Sequence, residues 1–286
     1  MKLAQALEEA RQKLAQAKVP SPDADAHWLL AHAISSNRAE VLRRITLLED
    51  LSQTEQDLFY SSLNRRVKRE PLQHITGKAA FRNLELLVGP GVFIPRFETE
   101  QVAQIGIDFL KSLSSTAKAA DLGTGSGAIA ISIAHEARQR KMPVHVVAVE
   151  KSEAAQEWLA KNISRHDVDV RVIKSDVAQA LEGVKCDVVV ANPPYVPNNV
   201  VLPDLVSKNE PREALYGGAN DGLDLPTLFI AAATRLLKPG GFLILEHFEN
   251  QSALLERELS PHYSDISHYT DFNQRPRWMT ARRKGE

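Results

Sequence analysis

The chain reads as an α/β protein, with a small N-terminal helical domain ahead of a larger domain built on a parallel sheet. Two patterns predict this. From about residue 117 onward, short apolar runs alternate with segments of helical character, the order expected when helices cross between parallel strands. Before about residue 70, apolar residues recur every three or four positions instead. A length of 286 residues is long for one core and comfortable for two domains. We therefore divide the chain into a helical domain over 1–70, a β-hairpin linker over 71–95 and a main domain over 96–286.

In the first domain Leu3, Leu7, Ala10, Leu14 and Ala17 form one helical stripe. Ser21-Pro22-Asp23 opens a second helix, since proline is tolerated in a first turn. Its stripe is Ala26, Leu29, Leu30 and Ala33, with Trp28 alongside. Ser52 and Glu55 have the spacing of a capping box before Leu58, Phe59, Leu63 and Val67. Such stripes are domain core. His27, His32 and His74 show no partner pattern and are read as structural.

Phe81 and the run Leu84–Val88 predict a hairpin, with Gly89-Pro90-Gly91 as punctuation. The strands of the main domain are then 119–122, 144–150, 168–173, 186–191 and 242–246. A helix follows Gly127, and another runs through Ala231–Ala233 to end at Lys238-Pro239-Gly240-Gly241. Between 196 and about 223, Pro197, Pro203, Pro211 and Gly217-Gly218 argue for a long irregular loop, which we expect to form part of a substrate channel. A hairpin around Gln274-Arg275-Pro276 closes the domain.

Asn192-Pro193-Pro194-Tyr195 carries the most chemical information. It ends an apolar strand, because neither proline can donate to a sheet ladder. In open α/β sheets ligands bind at that strand end. An amide nitrogen is a poor nucleophile, and an enzyme can aim its lone pair by gripping its hydrogens. The side-chain carbonyl of Asn192 is one acceptor, and the backbone carbonyl of Pro193, fixed by the stiff Pro193-Pro194 unit, is another. Tyr195 can cover a flat group. The pattern suggests methyl transfer to a planar amide or amine nitrogen, where alignment matters more than a strong base. The structural alternative is a proline-rich loop with Tyr195 as packing.

A second strand-to-loop junction is Asp121-Leu122-Gly123-Thr124-Gly125-Ser126-Gly127. Glycine permits tight turns and close approach of backbone to a ligand. The spacing differs from the dinucleotide fingerprint, although Ala128 could stand at its last position, and no Gly-Lys-Ser/Thr ending marks a P-loop. Glu150 ends the next strand, some twenty residues on, where an acid can accept from ribose hydroxyls; the alternative is an ordinary exposed acid. Asp176 ends the third strand and can accept from an adenine amine, with Val177 against the ring, or can cap a helix.

These segments resemble the S-adenosylmethionine-dependent class I methyltransferases, and more narrowly the HemK/PrmC family, which methylates a glutamine of peptide chain release factors. Further segments carry the resemblance: Glu70–Gly77, Phe93-Ile94-Pro95-Arg96-Phe97-Glu98-Thr99-Glu100, Leu245-Glu246-His247 and Asp271–Arg282. It implies a Rossmann-like class I fold and S-adenosylmethionine as cofactor. The cofactor would be held by Gly123, Thr124, Gly125, Ser126, Gly127, Glu150, Asp176, Val177 and Asn192, supported by Phe93 and Arg96. The target would be the glutamine of the Gly-Gly-Gln loop in class I release factors, met by Asn192 through Tyr195, with the helical domain recognising that substrate. Phe97, Val177 and Phe248 depart from the family's pattern of proline, a larger side chain and glycine.

A formal net charge of −1 gives no global attraction to nucleic acid, and direct binding to it is not expected. The basic run Arg65–Arg69 reads as a solvated helix end. The single cysteine, Cys186, lies in an apolar strand and reads as core, and no Cys/His spacing suggests a zinc site. No membrane span or signal sequence is evident, which makes the cytoplasm the expected location. An adenine-amine methyltransferase acting on DNA or RNA could use the same clamp. A cofactor-binding scaffold without catalysis is the alternative from another class.

Overall fold

The structure is a computed structural model that describes residues 1–285. Two compact units emerge: Met1–Lys78 together with Pro203–Asn209, and the remainder of the described chain.

The first unit contains helices α1 (Leu3–Gln16), α2 (Pro22–Ala33), α3 (Arg38–Thr46), α4 (Gln53–Val67) and α5 (Leu72–Thr76). The Leu3, Leu7, Ala10 and Leu14 stripe is buried against Leu29, Leu30, Phe59 and Leu63. Ser52 forms the capping box: its hydroxyl accepts from the Glu55 N–H, and Glu55 accepts in turn from the Ser52 N–H. Pro22 sits in the first turn of α2, but Ser21 makes no side-chain cap. The helix α3 has little signal in the sequence, because only Val41 of its nine residues is buried and its apolar stripe is weak.

In the second unit β1 (Lys78–Phe81) and β2 (Leu84–Leu87) pair as a two-stranded sheet. A seven-stranded sheet follows, made of β3 (Ala117–Leu122), β4 (Val144–Glu150), β5 (Val170–Lys174), β6 (Cys186–Ala191), β7 (Leu237–Glu246), β8 (Tyr263–Thr270) and β9 (Pro276–Arg283). Its order is β5-β4-β3-β6-β7-β9-β8; the first five strands run parallel, and β9 runs antiparallel to both its neighbours. Side chains alternate across the sheet. Ala117, Ala119, Val146 and Ala148 share a core with α6 (Thr99–Lys111), α7 (Ala128–Gln139) and α8 (Glu153–His166). Ala120, Leu122, Val147 and Val149 share the opposite core. The short helix α9 (Asp204–Ser207) belongs to the first unit, while α10 (Asp224–Leu236) and α11 (Ser252–Leu259) cover that opposite face.

Four segments differ from expectation. The β-hairpin linker expected over 71–95 opens with a helix, α5 over Leu72–Thr76, and only then do β1 and β2 pair. The strand expected over 168–173 is Val170–Lys174. The helix expected to end in the Lys238–Gly241 stretch stops at Leu236, and Leu237 already pairs with Cys186. Pairing resumes between Phe242 and Val188, so the Pro-Gly-Gly stretch is an excursion within a strand; Gly240 turns it with φ +74°. The stretch expected to be wholly irregular contains α9 and a 3-10 turn over Arg212–Ala214.

The sheet order reverses between β3 and β6, and Leu122 lies level with Ala191. The glycine loop and Asn192 therefore leave adjacent strands side by side, at the place where such sheets form a ligand crevice. Gly127 starts α7 with φ +91°, and a Cβ there would lie 2.6 Å from carbons of both Ile131 and Leu159. We predict that Gly127→Ala lowers stability by more than about 1 kcal/mol through strain and overpacking. Urea denaturation measures this, and an unchanged midpoint would contradict the packing role.

Candidate active site

A cavity opens at the C-terminal ends of β3, β4, β5 and β6. Gly123, Thr124, Gly125 and Ser126 line one wall, and Gly123 and Gly125 have left-handed φ values of +68° and +58°. Gly127, by contrast, is not in that wall; it packs beneath it. The loop is braced from three directions. The N–H groups of Gly123 and Thr124 donate to the Val149 carbonyl at 2.9 and 3.0 Å. The Thr124 hydroxyl donates to Asp121 at 2.5 Å. Asn162, fully buried on α8, donates to the Ser126 carbonyl at 3.0 Å while bonding both backbone groups of Leu87.

Glu150 is buried, which removes the exposed-acid alternative. Its carboxylate accepts from the N–H groups of Gly125 and Ser152, each at 2.8 Å, and lines the cavity. Asp176 and Val177 line the far side. Asp176 accepts from the Ala178 N–H at 3.0 Å and faces Lys151 at 3.6 Å; turns rather than a helix follow it, so it caps a turn. Phe93 lines the cavity and Arg96 does not. The Arg96 guanidinium lies 4.6 Å over the Phe93 ring and bonds Glu210 at 2.5 Å, and Glu210 also accepts from the Ile94 N–H.

Asn192 and Pro194 reach the cavity, whereas Pro193 and Tyr195 do not line it. Asn192 Nδ2 donates to Thr99 Oγ1 at 3.1 Å, Thr99 donates to Glu246 Oε2 at 2.8 Å, and the Tyr195 hydroxyl donates to Glu246 Oε1 at 2.9 Å. The sequence alone marks neither Thr99 nor Glu246 as a site residue. Both lie in segments that carry the family resemblance, and a polar residue at the end of an apolar strand is the available signal for Glu246. The backbone of the corner is also held from outside. Tyr195 and Val196 donate to the Leu215 carbonyl, and buried Gln251 donates to the carbonyls of Tyr195 and Asp221. A Cβ on Gly222 would lie 2.4 Å from the Tyr195 carbonyl oxygen, so the loop glycines allow this contact.

Two profiles match the chain: the PrmC N-terminal domain over residues 5–77 and the methyltransferase small domain over 83–212. The release factor glutamine methyltransferase of Streptomyces coelicolor is 40% identical over 96% of this chain and 96% of its own length. The chain belongs to the PrmC/HemK family of release factor glutamine methyltransferases. The family member from Bifidobacterium longum is 38% identical over 96% of this chain and 97% of its own, and that from Mycobacterium tuberculosis 32% identical over 100% and 93%. Among solved structures, a methyltransferase from Pyrococcus furiosus superposes with a TM-score of 0.51 at 21% identity, covering 72% of this chain and 92% of its own. That likeness speaks to the fold alone, which is the Rossmann-like class I methyltransferase fold of this S-adenosylmethionine-dependent family.

The cavity suits that cofactor. Burial pushes the Asp121 carboxyl up to about 7, against the opposing hydrogen bonds from Thr124 and Ala130. Its Oδ1 is buried at the cavity wall and has no hydrogen-bond partner among the described residues, an acceptor suited to a cationic ligand. Glu150 and Asp176 offer further acceptors, and Val177 and Phe229 offer apolar surface. The three departures from the family pattern sit differently. Val177 lines the cavity, Phe97 is exposed beside Phe272, and the Phe248 ring lies 6.5 Å from that of Tyr195. Among the described residues no group of three or more His, Cys, Asp or Glu side chains could hold a metal ion.

Two expectations follow. A Cβ on Gly125 would meet no protein atom within 4 Å, and Gly125 lines the cavity. Gly125→Val should therefore abolish S-adenosylmethionine binding, both by intruding and by straining a left-handed residue. Titration calorimetry on the folded variant tests this, and wild-type affinity would exclude the loop from the cofactor site. Asp121 has a folded pKa of about 7 against an ordinary 3.8, so the native state holds this proton more tightly than the unfolded chain. Its ionisation thus destabilises the fold as pH rises from its ordinary value through about 7. Asp121→Asn should raise the melting midpoint at about pH 8 more than at about pH 5. The same change should weaken cofactor binding and flatten its rise with pH. Equal shifts at both pH values would reject the assignment.

Proposed function

We propose that this chain transfers the methyl group of S-adenosylmethionine to the side-chain amide nitrogen of the glutamine in the Gly-Gly-Gln motif of class I peptide chain release factors. The observation that carries the reading is the set of the Asn192 carboxamide. Its nitrogen is committed to Thr99, and among the described residues its oxygen has no bonding partner. That oxygen is an acceptor on a residue of the cavity wall, beside the glycine loop.

Gly123, Thr124, Gly125 and Ser126 hold the cofactor through backbone, Glu150 takes the ribose hydroxyls, and Asp176 with Val177 takes the adenine. Phe93 borders the pocket, Arg96 steadies Phe93, and Gly127 supports the loop from below. S-adenosylmethionine supplies a methyl group on a cationic sulfur, which keeps the electron pair of the broken C–S bond. Asn192 Oδ1 and the Pro193 carbonyl accept from the two amide hydrogens and so fix the plane of the target. The amide nitrogen gains the C–N bond and then sheds one hydrogen as a proton. No Asp or Glu is required as general base, because alignment supplies most of the advantage. Pro194 borders the target site, and Tyr195 anchors the corner through Glu246.

The helical region over 1–70 is the part we assign to recognising the release factor, with 71–95 as linker and 96–286 as the catalytic domain. A cytoplasmic location goes with a substrate that works in translation, and no described helix is long and apolar enough to cross a membrane.

We predict that Asn192→Ala keeps cofactor affinity within a few-fold but slows single-turnover methyl transfer to purified release factor on the order of a hundredfold, since misalignment alone can cost that much. Asn192→Asp retains an acceptor yet turns an oxygen toward Thr99, so it should also be slow. Peptide mass mapping should place the methyl group on the Gly-Gly-Gln glutamine. Near-wild-type rates for Asn192→Ala, or labelling of nucleic acid instead of release factor, would overturn the proposal.

A further inference from the structure

We propose that Thr99 and Glu246 are positioning residues that dictate which way round the Asn192 carboxamide points. The inference rests on the reading of Asn192 as the acceptor for the target amide.

A carboxamide has a donor end and an acceptor end of nearly the same shape, and packing alone does not distinguish them. The neighbours of Asn192 do, by counting protons. The Thr99 hydroxyl has one proton, and it is spent on Glu246 Oε2 at 2.8 Å. Toward Asn192 that oxygen can therefore only accept, which selects the Nδ2 end at 3.1 Å. Turned over, Asn192 would set Oδ1 against the lone pairs of Thr99 Oγ1, acceptor against acceptor in a partly buried place. The direction of the Thr99 proton is itself imposed. Burial pushes the Glu246 carboxyl up to about 7, and above that pH it is a carboxylate with no proton to give, accepting from Thr99 on one oxygen and from Tyr195 on the other. Burial keeps the Tyr195 hydroxyl protonated, its pKa standing well above the ordinary value, so this end of the chain is fixed as a donor.

The fold holds the chain together. Thr99 is the first residue of α6, Glu246 the last of β7, and Asn192 and Tyr195 follow β6. Thr99 and Glu246 are both buried, which shields the relay from competing water. Arg277, on β9, and Glu98 are the other charged groups whose fields reach Glu246. The consequence is that the oxygen of Asn192 is left for the substrate before any substrate arrives.

The test uses the full chain with Thr99→Val, Thr99→Ser and Glu246→Gln. Valine keeps the shape of threonine and loses the hydroxyl, serine keeps the hydroxyl, and glutamine puts a donor where only acceptors stood. Melting midpoint and S-adenosylmethionine affinity establish which variants are folded and loaded; Thr99→Ala replaces the valine variant if that does not fold. Single-turnover methyl transfer to purified release factor at saturating cofactor is then compared. Thr99→Val and Glu246→Gln should lose about tenfold or more in rate, with cofactor affinity held within a few-fold, and Thr99→Ser should recover most of the loss. In an Asn192→Ala background, Thr99→Val should cost nothing further, because no amide remains to orient. An unimpaired Thr99→Val, a Thr99→Ser as slow as Thr99→Val, or additive losses in the double variant would overturn the inference. Failure of the wild-type protein to methylate release factor would sink the functional reading itself, and is recognised before any variant is compared.

Discussion

The parallel pairing of β3 with β6, with Leu122 level with Ala191, is the constraint on which the site depends. It sets two unlike chain reversals next to each other. One is flexible by composition and held by many bonds, since Gly123 and Gly125 need the Val149 carbonyl and Glu150 to settle them. The other is stiff by composition, since two prolines limit Asn192-Pro193-Pro194-Tyr195 before any tertiary contact forms. A slip of one residue in this pairing would turn every side chain of β6 to the other face and put the two loops out of level.

Two carboxyls are buried around that pairing at some expense to the fold. Asp121 and Glu246 are both pushed up to about 7 by burial. Neither is needed for packing, because an apolar residue of similar volume would serve the core better. Asp121 has an oxygen at the cavity wall with no hydrogen-bond partner among the described residues, and Glu246 is joined to Asn192 by a chain of hydrogen bonds through Thr99. Their positions make sense as function that stability tolerates.

Much of this was legible in the chain. The capping box at Ser52, the strands over 144–150 and 186–191 and the closing hairpin follow from local rules and appear where those rules put them. Glu150 was readable as a strand-end acid, though its burial was not. The failures were non-local. Nothing local announces that Leu237 pairs with Cys186 across the Pro-Gly-Gly excursion, because that pairing belongs to the sheet. Thr99 and Glu246 are 147 residues apart, and their bond exists only after α6 and β7 pack. Gln251 was silent for the same reason: its amide clamps two backbone carbonyls, at Tyr195 and Asp221, which no spacing encodes.

The strand order also bears on how the molecule is made. β9 is last in the chain yet lies inside the sheet, between β7 and β8. Until β9 has been made, β7 lacks the antiparallel neighbour that it has in the folded sheet. A nascent chain in that state presents Phe242–Glu246, an apolar strand with open backbone groups, to any other strand it meets. The interval between translation of Glu246 and arrival of Pro276–Arg283 is thus a window of vulnerability to aggregation, and the unpaired strand is the one that carries the anchor of the Asn192 relay.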